Sequence, residues 1–196
     1  NGAGLNIRQT VASFVGLTRR EGSRANTSCH FQRNQAHDGG AILAFGGDMV
    51  EMHYGVFRHN QAERNGGAVS YIDSKPSIAL MMTSIHMSNN TAAVGGAIHI
   101  SNSRFTAINS TLSSNAASED GGAIYVSNPE IEGLNLTLFG NAAVTNRSDL
   151  FSQDAQRVQI TGVNFNGNSA GRRGGACYVE GWRLTMYDDT FDGNTA

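Results

Sequence analysis

The amino-acid sequence predicts an all-β protein: a right-handed parallel β-helix, or solenoid, of about seven coils with roughly 26 residues per coil. Three observations carry this prediction. Two short motifs alternate along the chain at nearly constant spacing, alignment on these motifs gives columns that are apolar in every repeat, and the segments between the motifs favour β-strands.

The first motif is an apolar residue, two variable residues, an asparagine, one more variable residue and an alanine. It occurs seven times, for example as FQRNQA from Phe31 and FDGNTA from Phe191. Successive motif asparagines are separated by 26, 30, 25, 26, 27 and 26 residues, and a period this regular is typical of stacked repeats. The motif asparagines are Asn34, Asn60, Asn90, Asn115, Asn141, Asn168 and Asn194.

The second motif is GGA followed by an apolar residue, and it begins five or six residues after the motif asparagine in five repeats. After Asn141 it is replaced by RSDL, which keeps only the aliphatic residue. The fourth position of this motif gives the predicted core column: Ile42, Val69, Ile98, Ile124, Leu150 and Cys177. A second apolar column, seven residues before the leading residue of the first motif, contains Val50, Leu80, Phe105, Ile131, Val158 and Leu184.

The segments between the motifs, such as AIHIS, AIYVS and RVQIT, are rich in β-branched residues and lack a sustained helical period. A coil of this length has room for three short strands and three turns. One coil cannot bury a face by itself, but stacked coils can. Crossovers between parallel strands of one sheet are almost always right-handed, which gives the predicted hand of the helix.

The first motif is explained by the corner of such a coil. The leading apolar side chain ends a strand and points into the core, and the asparagine lies at the turn between two sheets. Its amide is predicted to donate to the asparagine of one neighbouring coil and to accept from the other, which satisfies polar groups in a buried place. The sequence therefore predicts an internal asparagine ladder.

Composition limits the domain organisation and the partners. With 196 residues and 39% hydrophobic content, residues 1–196 are expected to form one domain, a fragment of a longer chain, with a loop insertion at 17–28 in the first coil. The net charge of -2 argues against nucleic acid as a partner. No apolar run is long enough for membrane insertion by this segment.

The sequence offers weak candidates for a catalytic or metal site. Asp188–Asp189 and Glu119–Asp120 are adjacent acidic pairs, but neighbours in a strand point to opposite faces, and the second pair precedes glycines and fits a turn. His30 and His86 share a column two coils apart with Val56 between them, too far to hold one ion. We therefore expect no catalytic residue, no metal and no cofactor.

The cysteines and the asparagines of glycosylation sequons are two further residue classes with a possible chemical role. Cys29 and Cys177 are predicted to be unpaired thiols, with Cys177 acting as a small buried apolar residue in the core column. Five asparagines occur in N-x-[ST] sequons and are candidate N-glycosylation sites in a eukaryotic secreted protein: Asn26, Asn89, Asn109, Asn135 and Asn146.

The alternation of GGA[ILV] with FxxN resembles the repeats of chlamydial polymorphic membrane proteins and related β-helical surface proteins, over nearly the whole chain. Three repeats depart from the pattern, with Met87, Leu112 or Leu138 in place of phenylalanine. The resemblance implies a secreted or surface-displayed right-handed β-helix, often a passenger domain that works in adhesion.

Two hypotheses of function follow. The first is a non-enzymatic extracellular structural or adhesive protein, a segment of a surface-displayed or fibre-forming β-helical rod. Its partners would be other copies of itself or further repeats of the same chain, with a host or cell-surface protein or glycan as ligand. The alternative is a β-helix that binds or cleaves polysaccharide.

Overall fold

The computed structural model describes residues 5–8, 12–15, 29–45, 49–72, 79–127, 130–143, 150–155, 157–171, 176–181 and 184–196. For residues 5–8, 12–15, 49, 79, 130–139, 150–155, 157–161, 177–181 and 184 it describes the backbone only. The secondary structure in these ranges is entirely β, and the strands are β1 (Leu5–Arg8), β2 (Ala12–Val15), β3 (Cys29–Gln32), β4 (Gln35–Asp38), β5 (Ile42–Phe45), β6 (Met49–His53), β7 (Gly55–Arg58), β8 (Gln61–Asn65), β9 (Val69–Ile72), β10 (Ala79–Thr83), β11 (His86–Ser88), β12 (Thr91–Ala92), β13 (Ile98–Ser101), β14 (Arg104–Ser113), β15 (Ala116–Ala117), β16 (Ile124–Ser127), β17 (Glu130–Phe139), β18 (Ala142–Ala143), β19 (Leu150–Ala155), β20 (Arg157–Thr161), β21 (Asn164–Asn166), β22 (Ser169–Ala170), β23 (Cys177–Gly181), β24 (Leu184–Tyr187) and β25 (Thr190–Asp192).

These strands form three parallel sheets. Sheet 1 has the order β1-β5-β9-β13-β16-β19-β23, sheet 3 has the order β22-β18-β15-β12-β8-β4, and sheet 2 contains the other twelve strands. Each strand pairs with the strand one repeat away; Ile98, for example, lies between Val69 and Ile124 in sheet 1. Parallel pairing at one-repeat separation is the arrangement of a β-helix, so the predicted fold class is confirmed.

One coil passes through the three sheets in order. From Ile42 the chain runs along β5 in sheet 1, β6 and β7 in sheet 2, and β8 in sheet 3. The backbone is left-handed at Tyr54 between β6 and β7, and at His59 between β7 and β8, with φ of 54° at both. The sequence predicted three short strands per coil. In the structure, each coil contributes two strands to sheet 2, or one ten-residue strand as in β14. The chain bends within this sheet, but its pairing with the neighbouring coil continues on both sides of the bend.

The core lies between the three sheets. In the first apolar column, Ile42, Val69, Ile98 and Ile124 are at most 1% exposed, and the backbone pairing continues to Leu150 and Cys177. In the second, Val50, Leu80 and Phe105 are at most 2% exposed, and the pairing continues to Ile131, Val158 and Leu184. Sheet 3 contributes the motif alanines, whose small side chains let its short strands lie close to the core; they include Ala62, Ala92, Ala117 and Ala143.

The extent of the stack bears on two expectations. About seven coils were predicted; about four turns, from residue 29 to residue 127, are described in both backbone and core side chains. The predicted insertion at 17–28 lies outside the described residues, and the single-domain interpretation stays a prediction. Within the described part of the chain, no helix is long and apolar enough to cross a membrane.

Candidate functional site: the asparagine ladder and the outward faces

The motif asparagines form a column of hydrogen-bonded side chains at the corner between sheets 2 and 3. The backbone N–H and the Nδ2 of Asn115 both donate to Oδ1 of Asn141, each at 2.9 Å. Oδ1 of Asn115 accepts the same two bonds from Asn90, at 3.0 and 2.9 Å. The other Nδ2 proton of Asn115 goes to the carbonyl of Met87 at 3.1 Å. This amide therefore uses both of its donors and both of its acceptor lone pairs.

The same pattern extends from Asn34 to Asn194. Adjacent motif asparagines are bonded through Nδ2 and Oδ1 at 2.9 to 3.4 Å as far as Asn168, whose backbone N–H donates to Asn194 Oδ1 at 3.0 Å. The five interior asparagines are at most 1% exposed. A buried amide left without partners costs roughly 1 to 3 kcal/mol, so continuity of the ladder matters for stability. The interior ladder holds coils together and presents its polar groups to one another.

The residue before each motif asparagine has a left-handed backbone, with φ between 54° and 60° in every coil. This conformation turns the chain sharply into sheet 3 and brings the asparagine side chain inward. Sequence reasoning missed this column. Its three glycines and one asparagine were a signal, because these are the residues that tolerate positive φ. The column is Arg33, His59, Asn89, Ser114, Gly140, Gly167 and Gly193.

The second glycine of the GGA motif is required by close packing between coils. A Cβ on Gly96 would lie 2.1 Å from the carbonyl oxygen of Gly122 and 2.6 Å from the backbone of Ala116. Gly40 and Gly67 meet the backbone of the next coil in the same way. Neighbouring coils therefore touch backbone to backbone at this corner, and no other residue fits.

The outward face of sheet 3 carries an ion pair and further polar contacts between β4 and β8. Arg64 Nη2 lies 2.8 Å from Asp38 Oδ2, Asn65 Nδ2 donates to Asp38 Oδ1 at 2.9 Å, and His37 Nδ1 lies 2.7 Å from Glu63 Oε2. Burial alone would raise the pKa of Asp38, but the hydrogen bonds from Arg64 and Asn65 and the nearby positive charges together lower this pKa below 3.8. Arg64, His37 and Glu63 are largely exposed, so these contacts join neighbouring coils but add little stability.

The outward face of sheet 1 contains a buried histidine. His99 pairs in register with Ser70 in one neighbouring coil and with Tyr125 in the other, and its ring stacks on Tyr125 with centroids 5.3 Å apart. Within the described residues, His99 Nδ1 and Ser70 Oγ have no hydrogen-bond partner. Burial lowers the pKa of His99 to about 4, against a smaller opposing effect of Asp38. The imidazole is therefore neutral at pH 7.

The comparisons with known proteins agree with this geometry. A family model described as the Chlamydia polymorphic membrane protein (Chlamydia_PMP) repeat matches residues 109–127 and 162–180. Each range contains a ladder asparagine, Asn115 or Asn168, and the glycine motif after it.

The chain carries chlamydial polymorphic membrane protein-type repeats. The resemblance predicted from the two motifs is thereby confirmed. No curated protein and no solved structure matches the chain.

The candidate histidines His30 and His86 lie on the outside of the coil. His30 and His86 are exposed on sheet 2, each paired in register with Val56 between them. The structure thus places one coil between the two imidazoles, as the repeat spacing indicated. No group of three or more histidine, cysteine, aspartate or glutamate side chains that could hold a metal ion occurs within the described ranges.

The acidic pairs lie at corners. Asp188 and Asp189 are between β24 and β25, so the assumption that they occupy a strand was wrong: Asp188 has a φ of 54°, and a corner replaces alternation at this point. Asp189 Oδ1 accepts a hydrogen bond from the Val163 N–H at 2.7 Å, which ties the corner to the preceding coil. Glu119 and Asp120 lie in the turn between β15 and β16.

Two of the sequon asparagines, Asn89 and Asn109, are described with side chains. Both are exposed and both have a left-handed backbone, with φ of 55° and 50°. Asn135 lies in β17, where only the backbone is described, and Asn26 and Asn146 lie outside the described residues. Of the two cysteines, Cys29 is a free thiol in β3, and only the backbone of Cys177 is described.

Proposed function

We propose that this chain is a non-enzymatic segment of a surface-displayed β-helical rod, extracellular or at the cell surface, that acts in adhesion or as a structural fibre. The match to a polymorphic membrane protein repeat carries this proposal. Proteins with such repeats are surface-associated β-helices, which supports a surface location for this chain. The ladder supports a structural role, because it makes each coil the template for the next.

The outward face of sheet 2 is the proposed contact surface for a partner protein or glycan. One outward column contains His53, Thr83 and Ile108 in successive coils, and Tyr187 lies in the same column farther along, paired with Thr161. Ile108 is 40% exposed and Tyr187 is 57% exposed. Exposed aromatic and aliphatic side chains among hydroxyl groups are typical of recognition surfaces.

Binding of the 196-residue chain to intact cells and to a glycan array tests the adhesive role. We expect binding that Ile108→Asp weakens, while the matched control Gln61→Asp, on the exposed face of sheet 3, leaves it unchanged. Equal binding by both variants and the native chain would contradict the proposed surface. Release of oligosaccharides from a polysaccharide on the array would favour the alternative enzyme function.

The surface location has its own experiment. Protease treatment of intact cells of the source organism should remove the chain, whereas an intracellular control protein survives. Protection of the chain until the cells are lysed would contradict a surface location.

We further propose that Asn89 and Asn109 accept glycans when the chain is made in a cell that glycosylates sequons. Both side chains are exposed at corners, where an attached glycan clears the coil. Intact mass before and after enzymatic deglycosylation is the measurement, with Thr91→Ala and Thr111→Ala as variants that destroy one sequon each. An unchanged mass of the native chain would contradict this proposal.

A further inference from the structure

Sheet 2 has a second outward face, which follows the left-handed corner at Tyr54, Ser84 and Asn109. In the first three coils this face is formed by β3, β7 and β11 and by the turn after each of these strands. Its exposed side chains include no aspartate or glutamate, and we call it the basic face. They are His30, Gln32, Arg33, Arg58, His59, His86 and Asn89.

Two cations of the basic face are left unneutralised by the chain. Every carboxylate described within residues 29–94 lies within 4 Å of a basic side chain on another face of the coil. The three pairs are Asp38 with Arg64 at 2.8 Å, Glu63 with His37 at 2.7 Å and Glu51 with His53 at 3.7 Å. Within the described part of the chain, the guanidinium groups of Arg33 and Arg58 have no such partner.

The backbone brings these cations to one place on the flank of the coils. The N–H of Arg33 donates to the carbonyl of Arg58 at 3.1 Å, and the N–H of His59 donates to the carbonyl of Ser88 in the next coil at 3.1 Å. The side chains therefore recur along the axis at about the strand spacing, roughly 4.8 Å. Outward side chains stand perpendicular to a sheet, so coils stacked on either end of the chain would lie beside the basic face and leave it open.

The turn of the basic face keeps large side chains against the local backbone preference. Arg33 and His59 have φ of 56° and 54°, a left-handed conformation that disfavours residues with a Cβ. Later coils have glycine at the equivalent position, as Gly140, Gly167 and Gly193. Residues held in such a conformation concentrate at binding sites, so the basic side chains at this turn point to a ligand.

We infer that the basic face binds a sulfated polysaccharide that lies along the axis of the coils. The guanidinium groups of Arg33 and Arg58 can each bind a sulfate through paired N–H donors. The amides of Gln32 and Asn89 donate to sugar hydroxyl groups between the sulfates. A linear polymer is the matching shape, because the donors recur from coil to coil along one line.

Two other anionic partners match this face less well. Single-stranded nucleic acid binds where bases stack on aromatic rings, and no phenylalanine, tyrosine or tryptophan is among the exposed side chains of the basic face. A membrane surface requires apolar side chains beside the cations, and the valine of this face, Val56, is only 9% exposed. The inference goes beyond the proposed adhesive surface around Ile108 and does not depend on it.

Isothermal titration calorimetry of the 196-residue chain with a short heparin fragment tests the inference. The chain is produced in a host that does not glycosylate sequons, so that no glycan on Asn89 covers the basic face. We expect saturable binding that weakens about tenfold when salt is raised from about 50 to about 200 mM, because two charge contacts are screened. Fully desulfated heparin, which keeps its carboxylates, should bind at least about tenfold more weakly.

Three outcomes of this titration would overturn the inference. They are no binding of heparin, equal binding of the desulfated polymer, and equal affinity for a single-stranded oligonucleotide.

Variants locate the binding site. Arg58→Gln should weaken heparin binding by about tenfold. Arg64→Gln is the matched control, because it removes the same side chain from sheet 3, where Arg64 is paired with Asp38, and it should bind like the native chain. His59→Gly removes an imidazole donor and relaxes the turn, so its expected twofold to threefold loss of affinity, about that of one weak hydrogen bond, would not come from unfolding. Equal affinities of the two arginine variants, or a loss of heparin binding in Ile108→Asp, would contradict binding at the basic face.

Discussion

Replacement of Asn115 by leucine tests whether the ladder stabilises the fold. Leucine has the same number and branching of side-chain heavy atoms as asparagine and is somewhat bulkier, so the change leaves no cavity and acts mainly through hydrogen bonds. It removes the acceptor for the Asn90 N–H and one Asn90 Nδ2 proton, and it removes the donor to the Met87 carbonyl. Asn141 Oδ1 keeps the bond from the backbone N–H of residue 115.

The expected cost follows from counting these groups. Three buried polar groups lose a partner, and each unsatisfied group costs roughly 1 to 3 kcal/mol. Burial of the larger apolar side chain offsets about 1 kcal/mol of this cost. Small shifts of the turn reduce the remaining cost by restoring some of the hydrogen bonds. We therefore expect Asn115→Leu to lower the free energy of unfolding by about 3 kcal/mol.

Urea unfolding followed by circular dichroism measures this difference, provided that the dependence on urea concentration stays the same in both proteins. Ser113→Leu is the control: it introduces the same side chain two residues away, on the outward side of the strand, and should change stability by less than about 0.5 kcal/mol. If Asn115→Leu is as stable as the control, the ladder is a by-product of the turn and not a source of stability.

Three further predictions concern the core, the corners and the buried histidine. Ile124→Asp should cost about 4 kcal/mol or more, because Ile124 is 0% exposed between Ile98 and Leu150; an unchanged urea midpoint would show that the strand phase is wrong. His59→Gly should stabilise the chain by about 0.5 kcal/mol, because glycine adopts the left-handed backbone found at this position without a steric cost. Gly140→Ala should destabilise the chain by about 1 kcal/mol. A Cβ at this position meets no atom within 4 Å in the described chain, so the cost comes from the left-handed backbone alone. Equal shifts of the melting temperature in His59→Gly and Gly140→Ala would contradict this reasoning. An unfolded His99 binds a proton near pH 6.5 and a folded one only near pH 4, so stability should fall by roughly 3 kcal/mol as pH drops through that window, and His99→Gln should flatten the profile.

The register between neighbouring coils could be predicted from the sequence, because the two motifs that set it recur at a nearly fixed period. The motif asparagine marks one corner of each coil and the GGA motif marks the next. In the strands that follow these corners, the apolar residues must point to the core. The observed pairing of Ile98 with Ile124 and of Leu80 with Phe105 is the pairing that alignment of the motifs gives. Periodicity fixes which residues stack, since a slip of one residue would turn every side chain to the other face.

The corner within sheet 2 and the burial of His99 could not be predicted in this way. Tyr54, Ser84 and Asn109 share a left-handed backbone at equivalent corners but share no side-chain chemistry, so no motif marks them. The alternating pattern places His99 on the outward face of sheet 1, where an exposed imidazole is the usual expectation. Its burial depends on what covers that face in three dimensions, and a one-dimensional pattern does not contain this information.

The unequal repeat lengths show where such a fold tolerates change. Asn60 and Asn90 are 30 residues apart and Asn90 and Asn115 only 25, yet the Nδ2–Oδ1 bond is 2.9 Å in both steps. The longer repeat has six residues between β9 and β10, whereas two residues join β13 to β14. Extra residues are thus accepted at the corner between sheets 1 and 2, because the ladder and the core columns on either side hold the coil in register. A β-helix built in this way can vary its connecting loops and outward columns while its interior stays fixed, so we expect differences in length and sequence among proteins with these repeats to be concentrated at those corners.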